Sequence, residues 1–373
     1  MSARHVGGLA SDRSAASDGS GEPIIRFQGV DIVFGDRPKR ALPLIDKGMS
    51  RDAITERTGQ IVGVAGATLD IHEGETLVLM GLSGSGKSTL LRAINGLLPV
   101  TRGRTLVRGS DGTLTDPATA RPRALRALRQ RQVAMVFQQF ALLPWRTAAE
   151  NVAFGLELSG VPRGERRRRA LEQLAVVGLE ARADATVAEL SGGMQQRVGL
   201  ARALATQAPI LLMDEPFSAL DPIVRTRLQD DLIALQRDLR RTIVFVSHDL
   251  DEAFRIGDRI AIMEGGRIVQ CGPPRVIARE PATPYVADFV SHMNPLGVLT
   301  AQDVMRPPDR SDGSMTQPLA GSAAPDTPLP RIMDTLKRRP GAIAVIDRGT
   351  IVGTLSARDV VRALAPPERR SGE

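Results

Sequence analysis

The sequence predicts an α/β fold with a mainly parallel sheet, followed by a small α+β unit at the C-terminal end. Short apolar runs of strand length alternate with helical patterns over most of the 373 residues, which is typical of a parallel sheet covered by helices on both faces. A glycine-rich loop lies between one of these runs and a helical pattern. The composition changes near Pro295, where a stretch rich in proline, serine and glycine follows.

The strand candidates are short apolar runs bounded by turn residues. They cover residues 24–34, 63–71, 77–80, 133–137, 210–213 and 243–246. The helical patterns cover residues 36–60, 89–98, 145–190 and 228–239. Gly265 and Gly266 separate two further apolar runs, so we expect a hairpin there.

Residues 306–330 contain many Pro, Ser, Gly and Asp residues, and this composition predicts a linker or long loop. A compact unit follows, with a helix over 329–338, strands over 342–346 and 350–355, and a helix over 357–364. We therefore expect three segments: a disordered tail at 1–22, a main domain at 23–290, and a linker with the small unit at 291–373.

The composition indicates the cellular compartment of the protein and restricts the kinds of partner that it can bind. Hydrophobic residues make up 42% of the chain, enough for a core, whereas aromatic residues make up 3%, too few for stacking on single-stranded nucleic acid. Cys271 is the only cysteine, so a reducing compartment is expected. No apolar run approaches the roughly 20 residues that span a bilayer, and the N-terminal stretch lacks the apolar core of a signal peptide. We expect a cytoplasmic protein that reaches a membrane only through a partner.

The net charge is +7, and a cluster of arginines stands out at residues 163–169, which read RGERRRR. Such a cluster suits anionic lipid or nucleic acid. It also suits the solvated face of a helix, because the apolar pattern of Leu171, Leu174 and Val177 follows directly. The solvated face is the preferred interpretation.

The glycine-rich loop predicts a site for a nucleoside triphosphate. Residues 81–88 fit the pattern G-x-x-x-x-G-K-[ST] between a strand and a helix. Glycines let the backbone wrap around phosphates, and the N–H groups at the helix start bind them. We expect Lys87 to reach the β- and γ-phosphates and Ser88 to offer its hydroxyl to Mg²⁺. The candidate ATP-binding residues here are Gly81, Leu82, Ser83, Gly84, Ser85, Gly86, Lys87, Ser88 and Thr89.

Two carboxylates at the end of another buried strand form the second element. Asp214 and Glu215 follow the apolar run at 210–213. Asp214 is placed to hold Mg²⁺ through water, and Glu215 is placed to polarise the attacking water. A surface turn with two acidic residues would have the same short pattern, so this interpretation depends on the phosphate-loop pattern in the same chain.

Residues 190–197, LSGGMQQR, resemble the signature of the ABC ATPases, and other elements of that family occur in the expected order. Gln138 is similar to the Q-loop glutamine, Asp221 to the D-loop aspartate and His248 to the switch histidine. Phe34 lies where the family places the aromatic residue that stacks on adenine, although a core position is an equal alternative for a Phe at a strand end.

The resemblance covers residues 23–290 and implies a P-loop ABC ATPase fold, a RecA-like core with a helical subdomain at about 139–195. It implies ATP and Mg²⁺ as ligands. It places Ser88, Gln138 and Asp214 at the metal, and it assigns catalysis to Glu215, His248 and Gln138. In this family two copies pair head to tail. ATP would then be held between the phosphate loop of one copy and Ser191, Gly192 and Gly193 of the other, and the resemblance also counts Asp221 among the ATP-binding residues.

The resemblance also implies partners and a location. Permease subunits would bind the ATPase dimer at the cytoplasmic side of the inner (plasma) membrane, and an extracytoplasmic solute-binding protein would act indirectly. Nucleic acid is not an expected partner. An ABC ATPase of nucleic-acid maintenance is the less favoured alternative, because the sequence has no sustained heptad run and no set of zinc-binding cysteines. An ABC ATPase of another importer class remains open.

Two features resemble the ATPases of quaternary-amine importers, which take up glycine betaine, proline betaine or choline. One is an insertion at residues 35–63, ahead of the phosphate loop, and the other is the C-terminal unit. No residue of this chain is expected to touch the solute, so the substrate class follows from the resemblance alone.

The C-terminal unit resembles one CBS repeat that begins at residues 301–305 and ends at residues 353–359. In CBS units the aspartate that matches Asp359 often meets a ribose. The usual importer has two repeats, so nucleotide binding, sensing of ionic strength and a structural cap all remain open. We expect an apolar face with Val345, Ile346 and Val352 to be exposed for pairing with a second copy.

Overall fold

The computed structural model describes residues 22–138, 141–218, 220–291, 299–307 and 318–364. These residues form two compact units, the first ending at Val290 and the second beginning at Ser291. The tail expected at 1–22 lies outside the described residues apart from Glu22, and so does the part of the expected linker at 308–317.

The first unit contains two sheets and the helices around them. Its described strands are β1 (Ile25–Phe34), β2 (Ile61–Ile71), β3 (Thr76–Met80), β4 (Arg102–Arg108), β5 (Leu114–Thr115), β6 (Val133–Val136), β7 (Ile210–Asp214), β8 (Thr242–Val246), β9 (Arg259–Glu264) and β10 (Arg267–Gly272). Its described helices are α1 (Leu42–Asp46), α2 (Arg51–Thr58), α3 (Lys87–Ile94), α4 (Pro122–Ala127), α5 (Ala148–Leu158), α6 (Arg163–Val176), α7 (Gly192–Ala205), α8 (Pro222–Leu239), α9 (Leu250–Ile256), α10 (Pro274–Arg279) and α11 (Pro284–Ser291).

The larger sheet has six strands in the order β10-β9-β3-β8-β7-β6. Every residue of β3, β7 and β8 is buried, because central parallel strands are covered on both faces. Neighbouring strands run parallel except for β9 and β10. Those two strands form the hairpin expected at Gly265 and Gly266. The prediction of a mainly parallel sheet is confirmed.

The second sheet departs from the prediction of a single sheet. It is antiparallel and has the order β2-β1-β4-β5. Strand β4 begins with three exposed residues and has no apolar run of its own, so its sequence gives no strand signal. Its pairing with β1 defines it as a strand. Helix α3 packs against the same core as β1, since Leu90 and Ile94 join Ile25 and Phe27 in one cluster.

Helices α5, α6 and α7 lie in the central part of the chain. The first two, with two short 3₁₀ turns, account for most of the helical pattern expected over 145–190, and α7 lies beyond it. A capping box formed by Thr147 and Glu150 begins α5. The arginine cluster lies on α6, where Arg168 pairs with Glu165 and Glu172. Arg167 pairs with Asp184, and both side chains are more than half exposed. The interpretation of this cluster as a solvated helix face is confirmed.

The insertion at 35–63 folds into a short 3₁₀ turn, α1 and α2, which pack on β1 and β2. Ala41, Ile45 and Ile54 from the insertion share a small core with Val33 and Ala65. Ser50 caps α2 by accepting a hydrogen bond from the N–H of Ala53, and Gly59 ends the helix with a φ of +68°.

A charged bridge adds to this small core. Arg102 on β4 pairs with the fully buried Asp31 of β1 and with Asp46 of the insertion. The other oxygen of Asp31 accepts a hydrogen bond from the N–H of Gly66 at 2.8 Å. The insertion is therefore held on the antiparallel sheet by apolar packing and by one arginine that bridges two carboxylates.

The second unit contains β11 (Leu319–Ala323), β12 (Ala342–Asp347) and β13 (Thr350–Ser356), with α12 (Ala301–Val304), α13 (Leu329–Arg338) and α14 (Ala357–Leu364). The strands form one sheet in the order β11-β12-β13. The prediction of a linker over 306–330 is wrong at β11. This short segment, which contains Ala and Gly, becomes a strand by parallel pairing with β12.

The apolar face expected on this unit is also different. Val345 is fully buried, because it lies on the middle strand and packs with Ile332, Ile343 and Leu355 in the core of the unit itself. Ile346 and Val352 are half-buried. The large apolar side chains that remain exposed include Ile351 and Val361, which the sequence pattern did not single out.

Asp359, the candidate ribose contact, already has partners inside the unit. One carboxylate oxygen accepts a hydrogen bond from Arg306. The other accepts hydrogen bonds from the N–H and the hydroxyl of Ser356, at 2.9 and 2.7 Å. The side chain is 8% exposed. In this structure Asp359 therefore caps α14 and joins it to the segment around Arg306.

The bridge made by Arg102 leads to a prediction about stability. Arg102→Ala leaves the carboxylate of Asp31 buried without its cationic partner. We expect the free energy of unfolding of the first unit to fall by about 2 kcal/mol, less than for a fully buried pair because Arg102 is partly exposed. Urea denaturation followed by circular dichroism measures the change. The matched control is Arg26→Ala, which breaks an exposed pair with Asp70 and should cost less than about 1 kcal/mol. Equal losses in both variants would contradict the prediction.

Candidate functional site

The loop at 81–86 connects β3 to α3, and close backbone contacts determine its shape. Gly81 has a φ of +143° and Gly86 a φ of +102°. A β-carbon on Gly81 would lie 2.2 Å from the carbonyl oxygen of Met263, and one on Gly86 would lie 2.3 Å from that of Gly63. Only glycine avoids both the strained dihedral angle and the clash at these positions. The loop is therefore pressed against β2 and β9.

Lys87 is the first residue of α3 and lies inside the curve of the loop. Its Nζ donates hydrogen bonds to the carbonyl oxygens of Gly81 at 2.8 Å and Leu82 at 2.9 Å. Burial lowers the pKa of Lys87, and the nearby carboxylates of Glu215 and Asp214 oppose that shift. Among the described residues, no acceptor takes the N–H groups of Lys87 and Ser88, as expected in the first turn of a helix.

Ser88 and Asp214 meet as the sequence predicted. The hydroxyl of Ser88 donates a hydrogen bond of 2.6 Å to Oδ1 of Asp214, which is fully buried at the end of β7. The other oxygen of Asp214 pairs with Arg92 at 2.9 Å. Arg92 lies one turn after Ser88 on α3, so the helix presents both partners to the carboxylate. Sequence reasoning missed Arg92, although its i+4 spacing from Ser88 was a usable signal.

Glu215 follows Asp214 in a strained conformation, with a φ of +48°. Its N–H donates to the carbonyl oxygen of Val246 at 3.2 Å, and its own carbonyl oxygen accepts from the hydroxyl of Ser218 at 3.0 Å. These bonds hold a backbone that is unfavourable for a non-glycine residue. Strain of this kind is common at functional sites, where it aims a side chain.

Gln138 and His248 converge on one oxygen of Glu215. Nε2 of Gln138 and Nδ1 of His248 each lie 3.3 Å from its Oε2. The structure thus brings together all three residues that the resemblance assigned to catalysis. Gln138 contacts Glu215 here, not Ser88 or Asp214, with which it was grouped as a metal ligand. A shallow pocket next to this cluster is lined by Glu215, Ser218, Arg225, Ser247, His248 and Glu252, among others.

The signature residues lie on another element, at the start of α7. Ser191 caps the helix by accepting a hydrogen bond from the N–H of Met194 at 3.4 Å. Ser191 and Gly192 are exposed, and Gly193 is half-buried. Gln195 anchors the helix start to the preceding turn by donating to the carbonyl oxygen of Leu190 at 3.0 Å. Among the described residues, no hydrogen bond joins this segment to the phosphate loop of the same chain.

Asp221, assigned to the D-loop, caps α8 by accepting a hydrogen bond from the N–H of Val224 at 3.0 Å. Its neighbour Ala219 lies outside the described residues. In this structure the carboxylate therefore has a local role at the helix start. No described contact links it to the carboxylates of Asp214 and Glu215.

Phe34 lies at the edge of the phosphate loop. Its ring covers Gly63, where a β-carbon would lie 2.7 Å from the ring and 3.0 Å from the methyl group of Thr89. The side chain is 37% exposed, so it is not an ordinary core phenylalanine. Sequence reasoning missed Gly63, whose lack of a side chain lets the ring lie close to the start of α3.

The donor set fits a nucleotide with a hard cation. The loop has free helix N–H groups for phosphate oxygens, and the buried hydroxyl of Ser85 has no partner among the described residues. Ser88 and Asp214 offer the oxygen donors that Mg²⁺ prefers. Among the described residues, no cluster of three or more His, Cys, Asp or Glu side chains forms an all-protein metal cage.

A strand, a glycine loop, a lysine and a pair of carboxylates in this geometry define a phosphate-loop nucleotide hydrolase. Comparison with known proteins identifies the family within this class. The family model described as ABC transporter matches residues 64–218, and the model described as CBS domain matches residues 315–366.

The curated relatives agree with these models. The chain is 53% identical over 274 residues to the glycine betaine/proline betaine transport system ATP-binding protein ProV of Salmonella typhimurium, which covers 74% of this chain and 67% of that protein. It is 46% identical to the glycine betaine transport ATP-binding protein OpuAA of Bacillus subtilis, over 76% of this chain and 67% of that protein. It is 43% identical to the trimethylamine N-oxide transport system ATP-binding protein TmoW of Ruegeria pomeroyi, over 92% of this chain and 98% of that protein.

A solved structure supports the same assignment. A dimeric ATP-binding cassette bound to ADP and Pi in a post-hydrolysis state superposes with a TM-score of 0.57 at 32% identity, covering 67% of this chain and 98% of that one. The chain belongs to the ABC transporter family and is the ATP-hydrolysing subunit of a transport system. No helix within the described ranges is long and apolar enough to cross a membrane.

The position of Glu215 leads to a prediction about catalysis. Glu215→Gln keeps the size of the side chain and the contacts of its backbone, but the amide cannot accept a proton from water. We expect ATP binding to stay within about threefold of the wild type and steady-state hydrolysis to fall by about 100-fold or more. A phosphate-release assay and equilibrium nucleotide binding measure the two effects. Glu172→Gln, an exposed position on α6, is the control. Near-normal hydrolysis by Glu215→Gln would remove Glu215 from this role.

Proposed function

We propose that the chain is the ATPase subunit of an importer for small methylated amines, with glycine betaine as the first substrate. The carrying observation is the 53% identity to a glycine betaine/proline betaine transport ATPase, over a span long enough to include the whole nucleotide site. This agrees with the quaternary-amine class expected from the insertion and the C-terminal unit. Choline, which was also expected, shares the trimethylated nitrogen of glycine betaine.

Trimethylamine N-oxide is the second candidate, and one observation favours it. The alignment with TmoW covers 92% of this chain and 98% of that protein, so it must include much of the C-terminal unit. The alignment with ProV covers only 74% of this chain. Trimethylamine N-oxide and glycine betaine both present a trimethylated nitrogen, which an aromatic cage in a binding protein recognises.

The contacts of the site residues support the following roles. The loop N–H groups and Lys87 bind the phosphates, and Ser88 and Asp214 hold Mg²⁺, which supplies positive charge against the phosphate oxygens. Glu215 orients the attacking water and accepts its proton. Gln138 and His248, both 3.3 Å from the carboxylate of Glu215, hold it in place and are positioned to meet the water and the terminal phosphate. Phe34 offers its half-exposed ring to the adenine.

A second copy completes the site. Ser191, Gly192 and Gly193 are accessible at the start of a helix but have no described contact with the phosphate loop of their own chain. Helix N-termini bind phosphates, and a head-to-tail dimer would place this one against the γ-phosphate held by the other copy. Asp221 lies in the segment that such a dimer would bring together. The dimeric state of the solved cassette supports this arrangement.

The partners follow from the transport role. Permease subunits in the inner (plasma) membrane would bind the ATPase dimer on the cytoplasmic side of that membrane and move when the dimer closes. An extracytoplasmic solute-binding protein would deliver the solute. Closure on ATP and opening after hydrolysis would switch the permease between two states.

The dimer leads to a prediction for mixed subunits. Ser191→Arg puts bulk and positive charge where the γ-phosphate of the other copy should lie, and Lys87→Ala removes the phosphate cation. We expect neither variant alone to hydrolyse ATP at a rate above about 5% of the wild type. A mixture of the two should regain part of the activity, because one composite site then has an intact Lys87 and an intact Ser191. Phosphate release is the measurement. Full activity of Ser191→Arg alone would exclude a role across the dimer.

The substrate leads to a prediction in cells. Deleting the gene should abolish high-affinity uptake of radiolabelled glycine betaine, and the wild-type gene should restore it. The Glu215→Gln gene should not, because transport needs turnover. Inhibition of this uptake by unlabelled trimethylamine N-oxide and by unlabelled choline ranks the candidate solutes by how strongly they compete with glycine betaine. Unchanged uptake of all three solutes after deletion would contradict the proposed substrate class.

A further inference from the structure

The insertion at 35–63 contacts the phosphate loop directly. Arg51 is the first residue of α2, and its Nη1 donates a hydrogen bond to the carbonyl oxygen of Gly84. Gly84 lies on the outer side of the loop, with a φ of +76°, and no atom lies within 4 Å of the place where its β-carbon would be. The loop is therefore open on this side, and Arg51 supports it there.

This contact determines the orientation of one peptide group. A peptide is planar, so its carbonyl and its N–H point in opposite directions. The carbonyl oxygen of Gly84 points to Arg51, and the N–H of Ser85 donates to the carbonyl oxygen of Leu82 at 3.1 Å. The two bonds hold this peptide from both sides. They close the turn that brings Leu82 and Gly81 within reach of the amino group of Lys87.

Arg51 comes from a rigid support. Ile54, one turn after it on α2, is 1% exposed and packs in the small core of the insertion. Arg267 of β10 donates a hydrogen bond to the carbonyl oxygen of Ile45 at 3.1 Å, and Arg102 pairs with Asp46. The guanidinium of Arg51 therefore reaches the loop from the insertion, whose α1 is bonded to a strand of each sheet and shares a small core with α2.

Both ends of the insertion also lie at the site. Its first residue, Gly35, follows Phe34 directly. Its last residue, Gly63, lies beneath the ring of Phe34, and its carbonyl oxygen lies against Gly86. A change in the loop can therefore reach the insertion at Arg51 and at Gly63.

We propose that Arg51 is a positioning residue for nucleotide binding: it holds the phosphate loop in its binding conformation through Gly84, and it couples occupancy of the loop to the order of α2. The inference rests on the proposed nucleotide site.

The test measures binding without turnover, on the full chain in the absence of divalent cations. We expect Arg51→Ala to weaken ATP binding about tenfold, the loss of one charge-assisted hydrogen bond. Arg51→Lys keeps a cationic donor and should stay within about threefold of the wild type. The matched control is Arg57→Ala, on the same helix, where the side chain contacts only Met49 among its described hydrogen-bond partners. It should bind ATP like the wild type.

Hydrogen exchange of the α2 amides gives a second readout that a purely structural role would not move. ATP should slow exchange over Arg51–Thr58 in the wild type and in Arg57→Ala, but not in Arg51→Ala. Thermal unfolding without nucleotide checks that the variants are folded. If Arg51→Ala unfolds early, Arg51→Met replaces it, because methionine keeps an unbranched apolar side chain but removes the donor to Gly84. ATP binding by Arg51→Met equal to that of Arg57→Ala counts against the proposal.

Two further results would overturn the proposal. One is equal ATP binding by Arg51→Ala and Arg57→Ala, and the other is no effect of ATP on α2 exchange in the wild type. A different result would show that the proposed nucleotide site itself is wrong. In that case the wild type would bind ATP no better than Lys87→Ala.

Discussion

Close backbone contact between the phosphate loop and its neighbouring strands is the constraint on which the rest of the site depends. Gly81 and Gly86 approach the carbonyl oxygens of Met263 and Gly63 more closely than any residue with a β-carbon could. A hydrogen bond from the N–H of Gly266 to the carbonyl oxygen of Ser85, at 3.2 Å, adds to these contacts. The loop is thereby held between the two sheets. The position of Lys87 and the start of α3 follow from this packing.

The two neighbouring carboxylates of the site have different surroundings. Asp214 ends a fully buried strand, accepts a hydrogen bond from the hydroxyl of Ser88 and pairs with the guanidinium of Arg92, and these contacts offset the cost of burying a charge. Glu215, one residue later, turns away in a strained conformation and meets Gln138 and His248. Asp214 at the end of the strand and Glu215 directly after it thus contact different sets of partners.

The insertion and the C-terminal unit differ in their relation to this site. The insertion packs on the antiparallel sheet and contacts the loop through Arg51, so it belongs to the nucleotide-binding unit. The C-terminal unit has its own sheet and its own core around Val345 and Leu355. Asp359 is engaged by Arg306 and Ser356. The structure therefore gives its CBS-like sequence a self-contained packing.

The sequence by itself determined the parallel sheet, the phosphate loop and the paired carboxylates, because each depends on a local pattern: an apolar run of strand length, or residue types at set spacing. Only the tertiary structure decided the antiparallel sheet, since the polar segment Arg102–Arg108 becomes a strand by pairing with β1. It also decided the burial of Val345 and the contact of Arg51 with Gly84. Such contacts join residues that are distant in the chain, and the burial of a side chain depends on which distant segment packs against it. The local spacing of residues specifies neither.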